Sequence, residues 1–214
     1  MMYRQLNESE KEVLIKNGCS ADNWENIRVK EDFNPAYVKN VEFSGNISLG
    51  TFTRDFDQAG GFKVHSGIFD VRLHNVSVGD DCYIHSVHNY IANYNISNDV
   101  FIENTNLIVV DGESTFGNGV RVPVMNETGG REVPIYDYLC APLAYILTMY
   151  RHDTELVEKL EEMINVYTEK QKSSVGYIGC NVKIVNCGSI KNVRIGDYAT
   201  LGGVSKLKIG RAHV

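Results

Sequence analysis

His85 and Glu103 stand eighteen residues apart, at the ends of two stretches that share one grammar: LHNVSVGDDCYIH (Leu73 to His85) and IANYNISNDVFI (Ile91 to Ile102), the latter running directly into Glu103. If these stretches stack as neighbouring strands, about 4.8 Å apart, Glu103 lies against His85, Asn104 against Ser86 and Asn106 against His88. A carboxylate beside an imidazole fixes its tautomer and raises its basicity, which is what a general base needs. His85, oriented by Glu103 and with His88 on the same stripe, is therefore the candidate base for deprotonating a hydroxyl or amine. The competing reading is a solvated polar stripe. His85 and His88 together with His65 or His74 would supply imidazoles for a metal, but their spacing maps onto no three-histidine pattern, and no metal is expected.

Two segments carry a second kind of chemistry. TRDFDQAGG offers Arg54, Asp55 and Asp57, and NETGGRE offers Asn126, Glu127, Gly129, Gly130, Arg131 and Glu132. Paired glycines let backbone N–H groups approach an anion closely, and an arginine adds a fork for phosphate or carboxylate. Arg54, Asp57, Asn126, Glu127, Gly129, Gly130 and Arg131 are the candidate substrate-binding residues, against the plainer reading of each Gly-Gly as a tight turn. The chain contains no Walker A sequence and no dinucleotide-binding glycine fingerprint, which argues against a nucleotidyltransferase catalytic domain within it.

The elements that must position these residues are repeats. VKNVEFSGNISL (Val38 to Leu49), LHNVSVGDDCYI, IANYNISNDVFI and IKNVRIGDYATL (Ile190 to Leu201) each place Asn third. Aligned so, Asn40, Asn75, Asn93 and Asn192 form one column, and Leu49, Ile84, Ile102 and Leu201 another. Three six-residue pieces per period suit a triangular coil of three short strands. Asn or Gly turns each corner through the left-handed region, and the aliphatic columns fill the shaft, which no single coil can do alone.

Around the coils, residues 1–35 read as a helical cap: Asn7 and Glu10 approximate a capping box and Gly18 stops the helix. Residues 36–133 read as coils with a loop excursion at 50–67. Residues 134–174 change to helical periodicity and read as a helical hairpin insert, with Asp153 capping its second helix. Coils resume over 175–214 and stop in mid-phrase at IGRAHV, which reads as a fragment of a longer solenoid in preference to an end covered by another chain.

The net charge of −6 argues against a nucleic-acid surface. No apolar run approaches the roughly 18 residues of a membrane span, and the N-terminus lacks a signal-peptide core. No membrane partner and a cytoplasmic location are expected. The five cysteines lack CxxC spacing, consistent with reduced thiols, and Cys82 in an inward column reads as core filler.

VSVGDDCYI, IGCNVKI (Ile178 to Ile184), VRIGDYATL and LKIGRAHV resemble the hexapeptide repeat of left-handed parallel β-helix proteins, the acyltransferase-like superfamily. More narrowly, NETGGREVPIYD followed by a helical insert is similar to a bacterial family of long hexapeptide-repeat proteins. The resemblance implies a mainly β, left-handed parallel β-helix and a homo-oligomer, a trimer by preference. It further implies a His base that deprotonates an acceptor hydroxyl or amine for attack on the thioester of acetyl-CoA or another acyl-CoA, used as co-substrate, with transfer to a sugar or nucleotide sugar. The alternative it implies is a non-catalytic scaffold or oligomerisation module of a larger sugar-nucleotide-related protein.

Overall fold

Apolar residues at alternate positions build strands, and in the computed structural model, which describes residues 3–125 and 129–208, most of those strands pair in parallel. Two compact units are present: the described residues up to Asp111 together with Val175–Lys208, and Gly112–Ser174. In the first, β1 (Tyr3–Gln5), helix α1 (Glu8–Lys16), β2 (Ser20–Ala21) and β3 (Ile27–Lys30) precede the long strand β4 (Val38–Leu49). A short pair follows, β5 (Asp55–Asp57) and β6 (Lys63–His65), and then β7 (Gly67–Val78), β8 (Tyr83–Ile96) and β9 (Phe101–Val109). The second unit holds β10 (Arg121–Pro123), β11 (Glu132–Pro134), α2 (Ala141–Met149) and α3 (Thr154–Gln171). The first unit then resumes with β12 (Gly176–Ile178), β13 (Lys183–Lys191), β14 (Thr200–Gly202) and β15 (Lys206–Lys208). Among the described residues eleven strands share one sheet, ordered β1-β3-β4-β7-β8-β9-β13-β14, with β2 on β4, β12 on β8 and β15 on β13. Only β1 and β3 in that sheet are antiparallel.

The long strands bend at residues held in the left-handed region, and register gathers these residues into columns. Asn40, Asp70, Ser86, Asn104 and Asn186 form one; Asn75, Asn93 and Asn192 a second; Asp81, Asp99, Asn181 and Tyr198 a third, all with φ between 50 and 60°. Asn and Asp dominate because their short polar side chains bond locally and offset the Cβ strain of this region. Asn104 Nδ2, for example, donates to Asn186 Oδ1 at 2.7 Å, and Asn75 Nδ2 to Asn93 Oδ1 at 3.3 Å.

Between the bends, apolar residues stack row on row. Val38, Ile68, Ile84, Ile102 and Ile184 form one fully buried column, and Leu73, Ile91, Ile108 and Ile190 another. Each such side chain stabilises the fold by roughly 1.5–3 kcal/mol. The first repeat is displaced from its expected alignment. Asn40 stands over Asp70 and not Asn75, and Leu49 pairs with Val78 and not Ile84. The six-residue pieces resemble one another closely enough that a template can slide by one whole face without losing an apolar match.

Residues 1–35 carry more than a helix. The capping box of α1 is formed, with Glu10 N–H donating to Asn7 Oδ1 at 2.8 Å and Asn7 N–H to Glu10 Oε2 at 2.9 Å. Beyond it, however, β3 already joins the parallel ladder on β4, with Ile27 opposite Ile47. At the other end of the first coil block, the ladder stops at Val109, and residues 112–133, expected as coils, belong to the second unit. The excursion at 50–67 is an antiparallel hairpin, Phe56 opposite Val64, with Gly60 and Gly61 at φ 84 and 85° in its turn.

The second unit is built around α2 and α3. Val133, Leu147, Val157 and Ile164 form its core. Asp153 caps α3 by accepting from Leu156 N–H at 3.1 Å, and α2 starts beside Pro142, which is tolerated in a first turn. No helix among the described residues is long and apolar enough to cross a membrane.

Candidate functional site

Register places His85 of β8 between Phe69 of β7 and Glu103 of β9. The alternation that buries Ile84 and Ile102 turns His85 and Glu103 outward. His85 Nδ1 lies 3.9 Å from Glu103 Oε1, so the expected pair is brought together, and Nε2 lies 3.5 Å from Asp70 Oδ2. Asp70 is the partner that sequence reasoning missed. The offset between β7 and β8 is sixteen residues at Phe69–His85 and eighteen at Leu73–Ile91, because β8 carries extra residues around His88. A strict period of eighteen therefore looks past Asp70. Asn40 Nδ2 donates to Asp70 Oδ1 at 2.9 Å, which holds that carboxylate with its other oxygen toward the imidazole. His85 and its two carboxylates are all partly exposed, with side-chain exposures of 35, 50 and 37% for His85, Asp70 and Glu103, so a substrate group can reach the ring.

His88 points elsewhere. Its Nε2 is 2.9 Å from Asn104 Oδ1, and because Asn104 Nδ2 is committed to Asn186, that nitrogen of His88 donates. His65 and His74, the other candidate imidazoles, do not join His85 and His88 in a shared cluster. His65 stacks on Tyr37 with ring centres 4.0 Å apart, and His74 Nδ1 is 2.8 Å from Ser44 Oγ. Among the described residues no three His, Cys, Asp or Glu side chains are placed to share a metal.

Beside His85 the outward face is aromatic. Tyr83 stacks on Phe101 at 4.8 Å, and Phe56 from the β5–β6 hairpin meets Phe101 edge-on at 5.4 Å. Under the hairpin lies an open pocket of about 200 Å³ lined by Arg54, Phe56, Asp57, Asp99, Phe101 and Lys183. It gathers Arg54 and Asp57, as their common loop suggested, and adds Lys183 from β13, which no local motif singles out. The Arg54 guanidinium sits over Phe56 at 5.0 Å and pairs with Asp99. The Lys183 ammonium sits 5.2 Å from the centre of the Phe101 ring.

Asn126 and Glu127 lie outside the described residues. Gly129, Gly130 and Arg131 belong to the second unit. There the open anion nest expected of the Gly-Gly is not found: Gly130 N–H donates to Glu132 Oε1 at 2.8 Å, and that bond holds the Glu132 carboxyl below its usual range. The segment closes on its own carboxylate because Glu132 follows two residues after the glycine. Cys82 is fully buried, and burial pushes its thiol up to about 12, so it fills the core as expected and is no nucleophile.

The model of a family described as "Domain of unknown function (DUF4954)" matches residues 3–213. The chain is also similar to an "Uncharacterized protein" of Treponema pallidum (strain Nichols), 28% identical over 217 residues, covering 96% of this chain and 30% of that protein. The chain thus spans under a third of the length of that relative. No solved structure matches it.

Proposed function

The chain belongs to the DUF4954 family, and from that premise we propose that its His85 face is the active site of a hexapeptide-repeat transferase, moving an acyl group from acyl-CoA to a sugar or nucleotide sugar. The observation that carries the reading is the imidazole of His85 set between two carboxylates, Asp70 and Glu103, on an accessible face beside a pocket that holds two cations. The finer architecture proposed with it is a left-handed parallel β-helix assembled as a trimer. Three columns of left-handed residues separated by apolar columns support the winding; its handedness and the trimer rest on the resemblance of the repeats.

In this reading Asp70, the nearer carboxylate, accepts from the Nε2–H of His85 and leaves Nδ1, 3.2 Å from Ser86 Oγ, as the base. Nδ1 accepts the proton of the acceptor hydroxyl or amine while that atom bonds to the thioester carbonyl carbon. The tetrahedral adduct collapses with cleavage of the carbon–sulfur bond, and Nδ1 returns the proton to the departing thiolate. Glu103 stabilises the imidazolium between the two transfers. Arg54 and Asp57, in the pocket beside that face, are the proposed contacts for the polar parts of the substrates. His88, bonded to Asn104, supports the adjacent bend.

A thermal-shift titration with acetyl-CoA, CoA and a panel of nucleotide sugars tests the reading. A ligand at about 100 times its dissociation constant stabilises by roughly 2.7 kcal/mol, so a saturable shift with CoA compounds is expected, and no shift with any of them counts against transfer. The second reading is a non-catalytic scaffold or oligomerisation module of a larger sugar-nucleotide-related protein. It is favoured by the 30% share of the Treponema relative that the chain covers.

A further inference from the structure

Of the charged groups lining the pocket under the β5–β6 hairpin, most are already matched. Arg54 is bonded to Asp99, and Asp57 lies 3.6 Å from the Lys63 ammonium. Lys183 is different: among the described residues it forms no ion pair, and its ammonium is held only against the Phe101 ring. Lys183 is exposed, so its ammonium, resting on an aromatic face and committed to no carboxylate of the described residues, stays open to an anion from solution. One positive charge is therefore left over in a pocket of about 200 Å³ whose walls include two phenyl rings.

We propose that this pocket binds a compact organic anion through Lys183, with a single carboxylate or phosphoryl group on the ammonium and the body of the ligand against Phe56 and Phe101. The size excludes a large ligand from full enclosure, since a liquid water occupies about 30 Å³ and the pocket holds only several times that. The single uncommitted charge selects a group that needs one cation, and Arg54, already neutralised by Asp99, positions Phe56 and does not anchor the anion. Lys183 is two residues from Val185, which pairs with Glu103, so the anchor sits one row below Phe101 and one alternate position, about 7 Å, from the His85 and Glu103 column. As the seat of the acceptor's anionic group the pocket rests on the transfer reading above; as a binding site it stands without it.

Calorimetric or NMR titration with benzoate, phenyl phosphate and neutral benzyl alcohol tests the assignment, and inorganic phosphate shows whether the anion alone suffices. Saturable binding of benzoate or phenyl phosphate, at least tenfold weaker in Lys183→Gln, unchanged in His85→Ala and absent for benzyl alcohol, is the expected result. Stronger binding of phenyl phosphate assigns a phosphoryl ligand, and stronger binding of benzoate a carboxylate. Equal binding by the wild type and Lys183→Gln, or binding of neither anion, overturns the proposal. Because His85→Ala keeps the pocket intact, loss of transfer in that variant with retained anion binding separates failure of one idea from failure of the other. Lys183→Arg, which keeps the charge, is expected to retain binding and controls for a fold defect in the Gln variant.

Discussion

Asp70 and Glu103 face different nitrogens of the same imidazole, and that asymmetry separates their proposed roles. Removing the base itself, His85→Ala, is expected to lower acyl transfer by roughly 10²–10⁴-fold, the usual contribution of a positioned base, with no loss of folding because His85 projects outward. Asp70→Asn keeps the size and the bond from Asn40 but removes the negative charge that faces Nε2. Its expected signature is a lower kcat with an unchanged KM for the acyl donor. An unchanged kcat in Asp70→Asn assigns Asp70 a purely structural place in its column. Glu103 was legible in the sequence because β8 and β9 keep the eighteen-residue period on the His85 side of the bend. Asp70 was not, because the extra residues of β8 around His88 change the offset to β7, and such an insertion shows only when both strands are seen paired. Lys183 escaped for another reason: it meets Phe101 only after the second unit has been passed, and no local motif marks it.

At the scale of the element, the left-handed columns govern stability. Asn93 (φ 59°) donates from Nδ2 to the Val110 carbonyl at 3.0 Å. Asn93→Val, which loses that bond and carries a β-branched side chain into a region costing about 1–2 kcal/mol even for ordinary residues, is expected to lower the urea midpoint strongly, whereas Asn93→Gly should lower it little. Tyr94 makes a second, less visible device. Its ring occupies the space opposite Gly176 in the next row, where an added Cβ would stand 2.4 Å from Cε1, and its hydroxyl donates to the Val193 carbonyl at 2.8 Å. Tyr94→Phe leaves the buried Val193 groups unpaired and should cost about 1–3 kcal/mol, and Gly176→Ala a similar amount by overpacking. Chemical denaturation checks all four variants. The repeat phrases announced the Asn columns and the apolar columns, because both are properties of single strands. The placement of the first repeat and the end of the ladder at Val109 depend on which faces meet, and six-residue pieces that look alike do not encode that locally.

For the whole molecule, two partly buried ion pairs join segments within the first unit, Lys30 of β3 to Asp80 beyond β7 and Arg4 of β1 to Glu10 of α1. Burial works to raise the Asp80 carboxyl, but the Lys30 ammonium at 2.5 Å and the bonds from Thr51 together hold it below the usual range. The bidentate bond from Arg4 does the same for Glu10, against the opposing effect of burial. Each folded value lies below the unfolded one, so this stabilisation is complete above about pH 4, the unfolded range of carboxyls, and is lost as the pH falls through the folded values. Denaturation followed from pH 7 to pH 2 should show a steeper acid loss in the wild type than in Asp80→Asn, which starts less stable. On the same scale, sedimentation equilibrium is expected to give three times the 24.0 kDa of the chain if the proposed trimer forms. The central claim, that His85 is the base of an acyl transfer, is tested most directly by the release of free CoA thiol from acetyl-CoA in the presence of sugar and nucleotide-sugar acceptors, measured for the wild type and His85→Ala side by side. Acceptor-dependent release that falls at least about 100-fold in the variant is the predicted result, and release that is equal in the two proteins contradicts it.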